Sequence, residues 1–390
     1  MKIVDITTIV VNAQMRNWVF VKVVTDQPGL HGWGEATLEW KTRAVVGTIE
    51  DLKPLILGRD PRDIEQIVRV LLKQSFWRLG VIGASAISGI EQALWDILGK
   101  SLDQPVWRLL GGRVRDRLPV YTHLGLGNME AVYETFQPDA LADRAVALVE
   151  LGYRALKVVF IPYTHYTADV RGLKHTDLLM RTLRETVGDD VELMVDFHGR
   201  CASTAAAMRY IEVLAPYRPL FVEEPIPPGD VASLRAITER SPCTIASGER
   251  LASIEEFEAV FSQRAVQIAQ PDLCHVGGLS VGKKIAAMAE AASIGLAPHN
   301  PLGPIAGTVA LHFGISTANV VIQEEMVGAV PWYGEVVRTP IRRVDSAWQV
   351  PEGPGLGVEV DEMVASRHPF EQEVLHTQHA LMPDGLVVDW

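Results

Sequence analysis

The chain has 390 residues, a formal net charge of −12 and 48% hydrophobic residues. That composition excludes a disordered chain, and the acidic balance argues against a nucleic-acid surface. Three scattered cysteines, Cys201, Cys243 and Cys274, make no secreted disulfide framework and no CxxC zinc site. The opening MKIVDITTIVVNAQ alternates like a strand rather than a leader, and no run of about 18 apolar residues is present. The expectation is a cytoplasmic protein with neither nucleic-acid nor membrane partners.

In chain order, MKIVDITTIVV and WVFVKVVT read as strands joined by a short loop from Asn12 to Asn17, and HGWGEA follows with turn glycines. The stretches GTIEDLKPLILG and PRDIEQIVRVLLKQSFWR have helical apolar spacing. In ASAISGIEQALWDILGKSL, Ile87, Ile90, Leu94 and Leu98 fall on one stripe. Strands first and helices after predict an α+β unit over residues 1–117.

From Leu118 the pattern changes. The runs LPVYTHL, RALKVVF, ELMVDFH, LFVEE, CTIASGE, AVQIAQPD, GLAPHN and VVIQEE alternate with helical stretches. Eight such alternations over residues 118–345 predict an α/β fold of the (β/α)8, TIM-like barrel type. A doubly wound open sheet is disfavoured, because no GxGxxG turn follows any of the strands. The Pro/Gly-rich tail, 346–390, is expected to pack back on the first unit.

Barrel enzymes carry their chemistry at the C-terminal ends of the strands. Here those ends hold Lys157, Asp196 with His198, Glu223 with Glu224, Glu249 with Arg250, Asp272, His299, and Glu324 with Glu325. Three converging carboxylates, Asp196, Glu223 and Glu249, would repel one another without a hard cation, and an oxygen-only donor set suits Mg²⁺ better than Zn²⁺. Strand alternation would put Asp196 and His198 on one face. Asp272 and His299 end neighbouring strands, so the carboxylate can orient the imidazole. Lys157 is suited to hold a substrate carboxylate. His275, one loop beyond Asp272, reads first as a loop histidine, with a substrate contact as the alternative.

These residues, in this order, resemble the enolase superfamily, its mandelate racemase branch, and most closely the D-galactonate dehydratase-like acid-sugar dehydratases. The resemblance is carried by VDFHGR, YRPLFVEEP, SGER, QPDLCHVGG, APHNPLGPIA and IQEE in the barrel, and by GWGE and ALWDILGK in the first unit. It implies an N-terminal capping domain closing over the barrel. It implies Mg²⁺ on Asp196, Glu223 and Glu249, His299 as general base oriented by Asp272, and His198 as general acid. Glu324 would then hydrogen-bond a substrate carboxylate opposite Lys157. A homo-oligomer, dimer or octamer, is also implied.

One departure matters. Family members that exchange protons on both faces carry a K-x-K pair, whereas this chain has Lys157-Val158-Val159. One base and one acid favour β-elimination of an acid sugar over two-base racemisation. Arg16, Trp18, Arg250, Tyr163 and His165 are the candidate substrate contacts. The last two lie in the long segment IPYTHYTADVRGLKHTD, which galactonate dehydratase lacks as a tyrosine–histidine cluster. A gluconate, mannonate or arabinonate substrate therefore stays open, and so does a contact of that segment with a partner subunit. A lactone cycloisomerase, an epimerase and a non-catalytic relative are the competing readings.

Overall fold

The computed structural model describes residues 1–74, 76–125, 137–373 and 380–389. Strands β1 (Ile3–Ala13), β2 (Arg16–Thr25) and β3 (His31–Glu35) form an antiparallel sheet. The β1–β2 turn is tighter than the sequence suggests: Ala13 pairs with Arg16, leaving Gln14 and Met15 as the turn, with Gln14 at φ +63°. Helices α1 (Thr42–Leu52), α2 (Ile64–Lys73) and α3 (Gly80–Ser101) complete this unit, α3 and α1 packing on the sheet and α2 on α3, and the short helix α4 (Val106–Leu109) follows.

HGWGE is itself strand β3 and not a turn. Its glycines are required by close packing. A Cβ on Gly34 would lie 2.0 Å from the Gly89 carbonyl, and one on Gly32 would lie 2.0 Å from that of Ala93. The strand therefore lies directly on the α3 backbone, a contact that no side chain at those positions would allow. The expected α3 stripe holds, with Ile87, Ile90 and Leu94 buried in the cap core. The opposite face of α3 is also buried, through Ser85, Ser88, Glu91 and Gln92. Those polar residues face the second unit.

The second unit contains eight parallel strands: β4 (Arg117–His123), β5 (Ala155–Val158), β6 (Glu192–Asp196), β7 (Phe221–Glu223), β8 (Ile245–Ser247), β9 (Ile268–Ala269), β10 (Gly295–Leu296) and β11 (Gln323–Glu325). Each pairs with its successor from β4 to β10, and β11 pairs back with β4. A parallel bridge from Leu296 to Val320, just before β11, closes the ring. Each strand coincides with one of the eight runs read from the sequence. Among the described residues, seven helices follow the first seven strands: α5 (Pro138–Glu150), α6 (Val170–Val187), α7 (Thr204–Leu214), α8 (Val231–Arg240), α9 (Ile254–Ser262), α10 (Leu279–Ala291) and α11 (Pro304–Ile315). After β11 the chain turns instead into β12 (Arg343–Val344) and β13 (Ala347–Gln349), and β13 pairs antiparallel with the start of β4. The eighth helix of a full (β/α)8 repeat is thus replaced by the tail.

Two buried acids of the first unit dock it on the second, and a third ties it to the tail. Glu35 accepts the N–H groups of Gly303 and Ala306, each at 2.8 Å, at the N-terminus of α11. Glu91 does the same at α10, accepting from Leu279 and Ser280 at 2.8 Å. Helix N-termini carry unpaired N–H groups and partial positive charge, so carboxylates suit both places. Asp96 links Trp33 N–H to Leu356 N–H in the tail. The tail also returns to β1, where His368 O accepts from Asn12 N–H at 2.8 Å. No helix among the described residues is long and apolar enough to cross a membrane.

Candidate active site

Side-chain alternation along the strands builds the site. One buried residue from each of the eight strands or its immediate flank packs inside the barrel: Tyr121, Ala155, Met194, Phe221, Ala246, Ile268, Ala297 and Ile322. Two residues further on, the same inward face comes round again. There stand His123, Lys157, Asp196, Glu223, Gly248, Gln270, His299 and Glu324. An apolar floor thus lies beneath a polar layer at the C-terminal mouth.

Asp196, Glu223 and Glu249 meet in that layer, with ligand oxygens all within 4.8 Å of one another. Burial pushes Glu223 well up, Lys157 opposes, and Asp196 and Glu249 push it further. Burial also raises Glu249, to about 7. Asp196 is buried too, but Lys157, His198 and the His198 N–H hold it low. That N–H bond is 2.7 Å long. Lys157 brings a positive charge into this layer. Its Nζ lies 2.9 and 3.0 Å from the two Glu223 oxygens, 3.7 Å from Asp196 and 2.8 Å from Glu324.

A second pair faces this cluster. His299 Nδ1 is 2.8 Å from Asp272 Oδ2, and its Nε2 is 3.6 Å from Glu249. Burial disfavours its charged form, but Glu249, Asp272 and Glu324 outweigh that and lift the imidazole to about 10. The other Asp272 oxygen accepts the Cys274 N–H at 2.7 Å. His275 joins as a third group, its Nε2 3.5 Å from Asp272 Oδ2.

His198 reaches the mouth by a different route from the one alternation implies. Strand β6 ends at Asp196, and His198 sits at φ +55°, beyond the pleat. Its position follows from a left-handed turn tied to Asp196. Glu324 and Glu325 also separate. Glu324 points inward, whereas Glu325 is bonded to Tyr153 and Trp348 on the side facing the tail.

The remaining candidates have other partners. Arg250 lies on Glu224, with Nε at 2.8 Å, across the glycine at 199 where a Cβ would clash with it. Tyr163 stacks beneath Arg200 at 4.7 Å, and the His165 ring packs on Tyr166 at 4.3 Å. This segment covers the loop after β6, where His165 O accepts from Ala202 N–H at 3.1 Å. Arg16 bridges Glu39, at 2.6 Å, and the carbonyl of Pro301, two residues beyond His299. With Trp18 and Leu302 it lines a cavity of about 110 Å³. Trp18 itself is buried edge-on against Tyr333.

His123, absent from the residues the sequence points to, ends β4 with its Nε2 2.8 Å from Glu324. Burial and Lys157 lower its basicity, against the pull of Glu324. The strand-end rule applied to the other seven runs would have found it. With Lys157 and the Asn300 N–H at 2.7 Å, His123 gives Glu324 three hydrogen-bond partners. Burial opposes its charge, yet these neighbours hold the Glu324 carboxyl well below the usual range.

Comparison with known proteins agrees with this architecture. Residues 3–111 match the mandelate racemase / muconate lactonizing enzyme N-terminal domain, and residues 140–364 match the enolase C-terminal domain-like family. D-galactonate dehydratases of Pectobacterium atrosepticum and Cronobacter sakazakii are each 36% identical, covering 100% and 96% of both chains respectively. The crystal structure of an enolase from Agrobacterium radiobacter, with Na and L-malate bound, superposes with TM-score 0.91 at 32% identity over the full length of both chains. A mandelate racemase/muconate lactonizing enzyme from a Sulfitobacter species gives TM-score 0.87 at 34% identity, covering 96% of this chain and 97% of its own. The chain belongs to the mandelate racemase/muconate lactonizing enzyme family of the enolase superfamily and is D-galactonate dehydratase-like.

Proposed function

We propose that the protein is a hydro-lyase that dehydrates an aldonic acid, removing the C2 proton and the 3-hydroxyl to give a 2-keto-3-deoxy acid. The observation that carries this reading is the pairing of an oxygen-only carboxylate cluster with an Asp-oriented histidine across one buried mouth. The dehydratase names of relatives at 36% identity support it, as does L-malate, a 2-hydroxy acid, in the Agrobacterium neighbour.

Asp196, Glu223 and Glu249 fit a divalent cation, with Mg²⁺ the best match to all-oxygen donors. Bound there, the cation would draw charge from the substrate carboxylate and acidify the C2–H bond. Lys157 adds a fixed positive charge on the same side, where developing negative charge needs it. His299 donates Nδ1–H to Asp272, leaving Nε2 to take the C2 proton. Glu249 is among the groups that raise His299, so neutralising that carboxylate favours the unprotonated base. His198 returns a proton to the departing 3-hydroxyl, which leaves as water, and the enol product tautomerises to the ketone. The absence of a second lysine at Val159 supports one base and one acid over a two-base exchange.

A screen of aldonic and aldaric acids with Mg²⁺, read by semicarbazide trapping of 2-keto-3-deoxy products, tests this. One or two epimers should turn over, and His299→Asn should abolish the signal. Isomerised lactone or epimerised acid without a keto product would replace dehydration with the cycloisomerase or epimerase reading. Inertness toward every acid, with Mg²⁺ bound, would favour a non-catalytic relative.

A further inference from the structure

Helix α3 of the cap reaches the proposed base through a chain of side chains. Ser85 Oγ is 2.8 Å from Val81 O and 3.0 Å from His275 Nδ1. A carbonyl only accepts, so the single hydroxyl proton of Ser85 is committed to Val81. Ser85 must then accept from His275, and Nδ1 carries a hydrogen. The far ring nitrogen, Nε2, stands 3.5 Å from Asp272 Oδ2, the same oxygen that lies 2.8 Å from His299. A lone pair on Nε2 would face a carboxylate there, whereas a proton would point at it. Ser85, His275 and Asp272 are all buried.

We propose that Ser85 and His275 extend the Asp272–His299 pair outward to the cap. Ser85 sets the ring orientation, and His275, protonated on both nitrogens, holds Asp272 in the rotamer that meets His299. His275 is thus a positioning residue, and docking of α3 is part of what aligns the base. This rests on the reading of His299 as base given above. It makes the cap a contributor to proton abstraction as well as a cover over the mouth.

The test separates the two nitrogens. Glutamine at this position puts its amide donor where Nε2 stands, and asparagine puts it where Nδ1 stands. In the Mg²⁺-loaded enzyme, His275→Asn and Ser85→Ala should each lower kcat about tenfold, the low end of the range for outer-shell partners. KM and Mg²⁺ affinity should stay unchanged, and His275→Gln should recover most of kcat. Glutamine no better than asparagine, or kcat untouched in both, would overturn the proposal. A second readout needs no substrate. In ¹⁵N-histidine-labelled protein, the His275 signals, identified by their loss in His275→Asn, should show hydrogen on both ring nitrogens and should shift in Ser85→Ala. A bare Nδ1 would overturn the proposal even where kcat falls. If no acid sugar is turned over, the dehydratase reading fails on its own and the nitrogen spectra still decide the hydrogen-bond chain.

Discussion

His312 gives a measurable account of how the chain's three parts are held together. It is wholly buried in α11. Its Nδ1 accepts the Trp107 N–H at 3.0 Å, so Nε2 must carry the hydrogen directed at Leu356 O, also at 3.0 Å. The ring therefore joins the end of the first unit, a barrel helix and the tail, and it does so only while neutral. A proton on Nδ1 would oppose the N–H of Trp107. Burial pushes the imidazole down to about 4, with the Leu356 carbonyl only partly opposing. An unfolded histidine titrates near 6.5. The folded state binds the proton less well, so this contribution is full above pH ~6.5 and is lost as pH falls toward 4. The gap corresponds to about 3 kcal/mol once both steps are passed. Urea unfolding of the wild type and of His312→Gln at pH 7.5 and pH 4.5 isolates it. Glutamine keeps an acceptor and a donor without a titration. The wild-type advantage should shrink by about 2–3 kcal/mol at the lower pH. An advantage equal at both pH values would refute the neutral-histidine argument.

Other outcomes follow from the same contacts. Mg²⁺ at about 100 times its Kd should stabilise the fold by about 2.7 kcal/mol, read as a thermal shift, and Glu249→Gln should remove most of it. His299→Asn should keep that shift while losing turnover, because the histidine is outside the carboxylate cluster. At Gly303, an alanine Cβ would meet Glu35 Oε1 at 2.7 Å and Trp18 at 2.9 Å. Gly303→Ala should therefore displace Glu35 from the α11 N-terminus and cost about 1–3 kcal/mol in denaturant unfolding.

The barrel was legible because seven of the eight strands are short apolar runs closed by an ionisable residue, the apolar runs being what a parallel sheet buried on both faces imposes. What escaped depended on partners distant in sequence. The Gly32 and Gly34 pair reads as a turn until helix α3, some sixty residues on, is laid across it. Arg250 reads as a free cation at a strand end, but its carboxylate partner, Glu224, belongs to the preceding strand unit and turns away from the cluster at φ +43°. His198 shows the limit of counting by twos, since alternation stops where the strand stops. His123 escapes the strand-end rule for a different reason: the run LPVYTHL finishes in the apolar Leu124, one residue beyond it. Ser85 carries no sequence signal for its contact, because a serine on the face opposite an apolar helix stripe is an ordinary small residue until His275 is placed beside it.

Lys157 offers the sharpest separation between charge holding the fold and charge serving the chemistry. The lysine is buried and shared among Glu223, Asp196 and Glu324. Burial opposes its charge, but those carboxylates hold its basicity well above the ordinary lysine range. Replacing it with methionine leaves several buried carboxylates short of a cation, an imbalance that typically costs about 3–5 kcal/mol. A divalent ion on Asp196, Glu223 and Glu249 would supply the missing charge and would no longer be repelled by the ammonium. Lys157→Met should therefore unfold more easily than the wild type in chelator, yet bind Mg²⁺ at least about tenfold more tightly, or ~1.4 kcal/mol, by titration calorimetry. Turnover should be lost despite the tighter metal, because the positive charge meant for the substrate carboxylate is gone. Weaker Mg²⁺ binding in this variant would mean that Lys157 organises the carboxylates rather than competing with the ion, and the electrostatic reading of the site would have to be reversed.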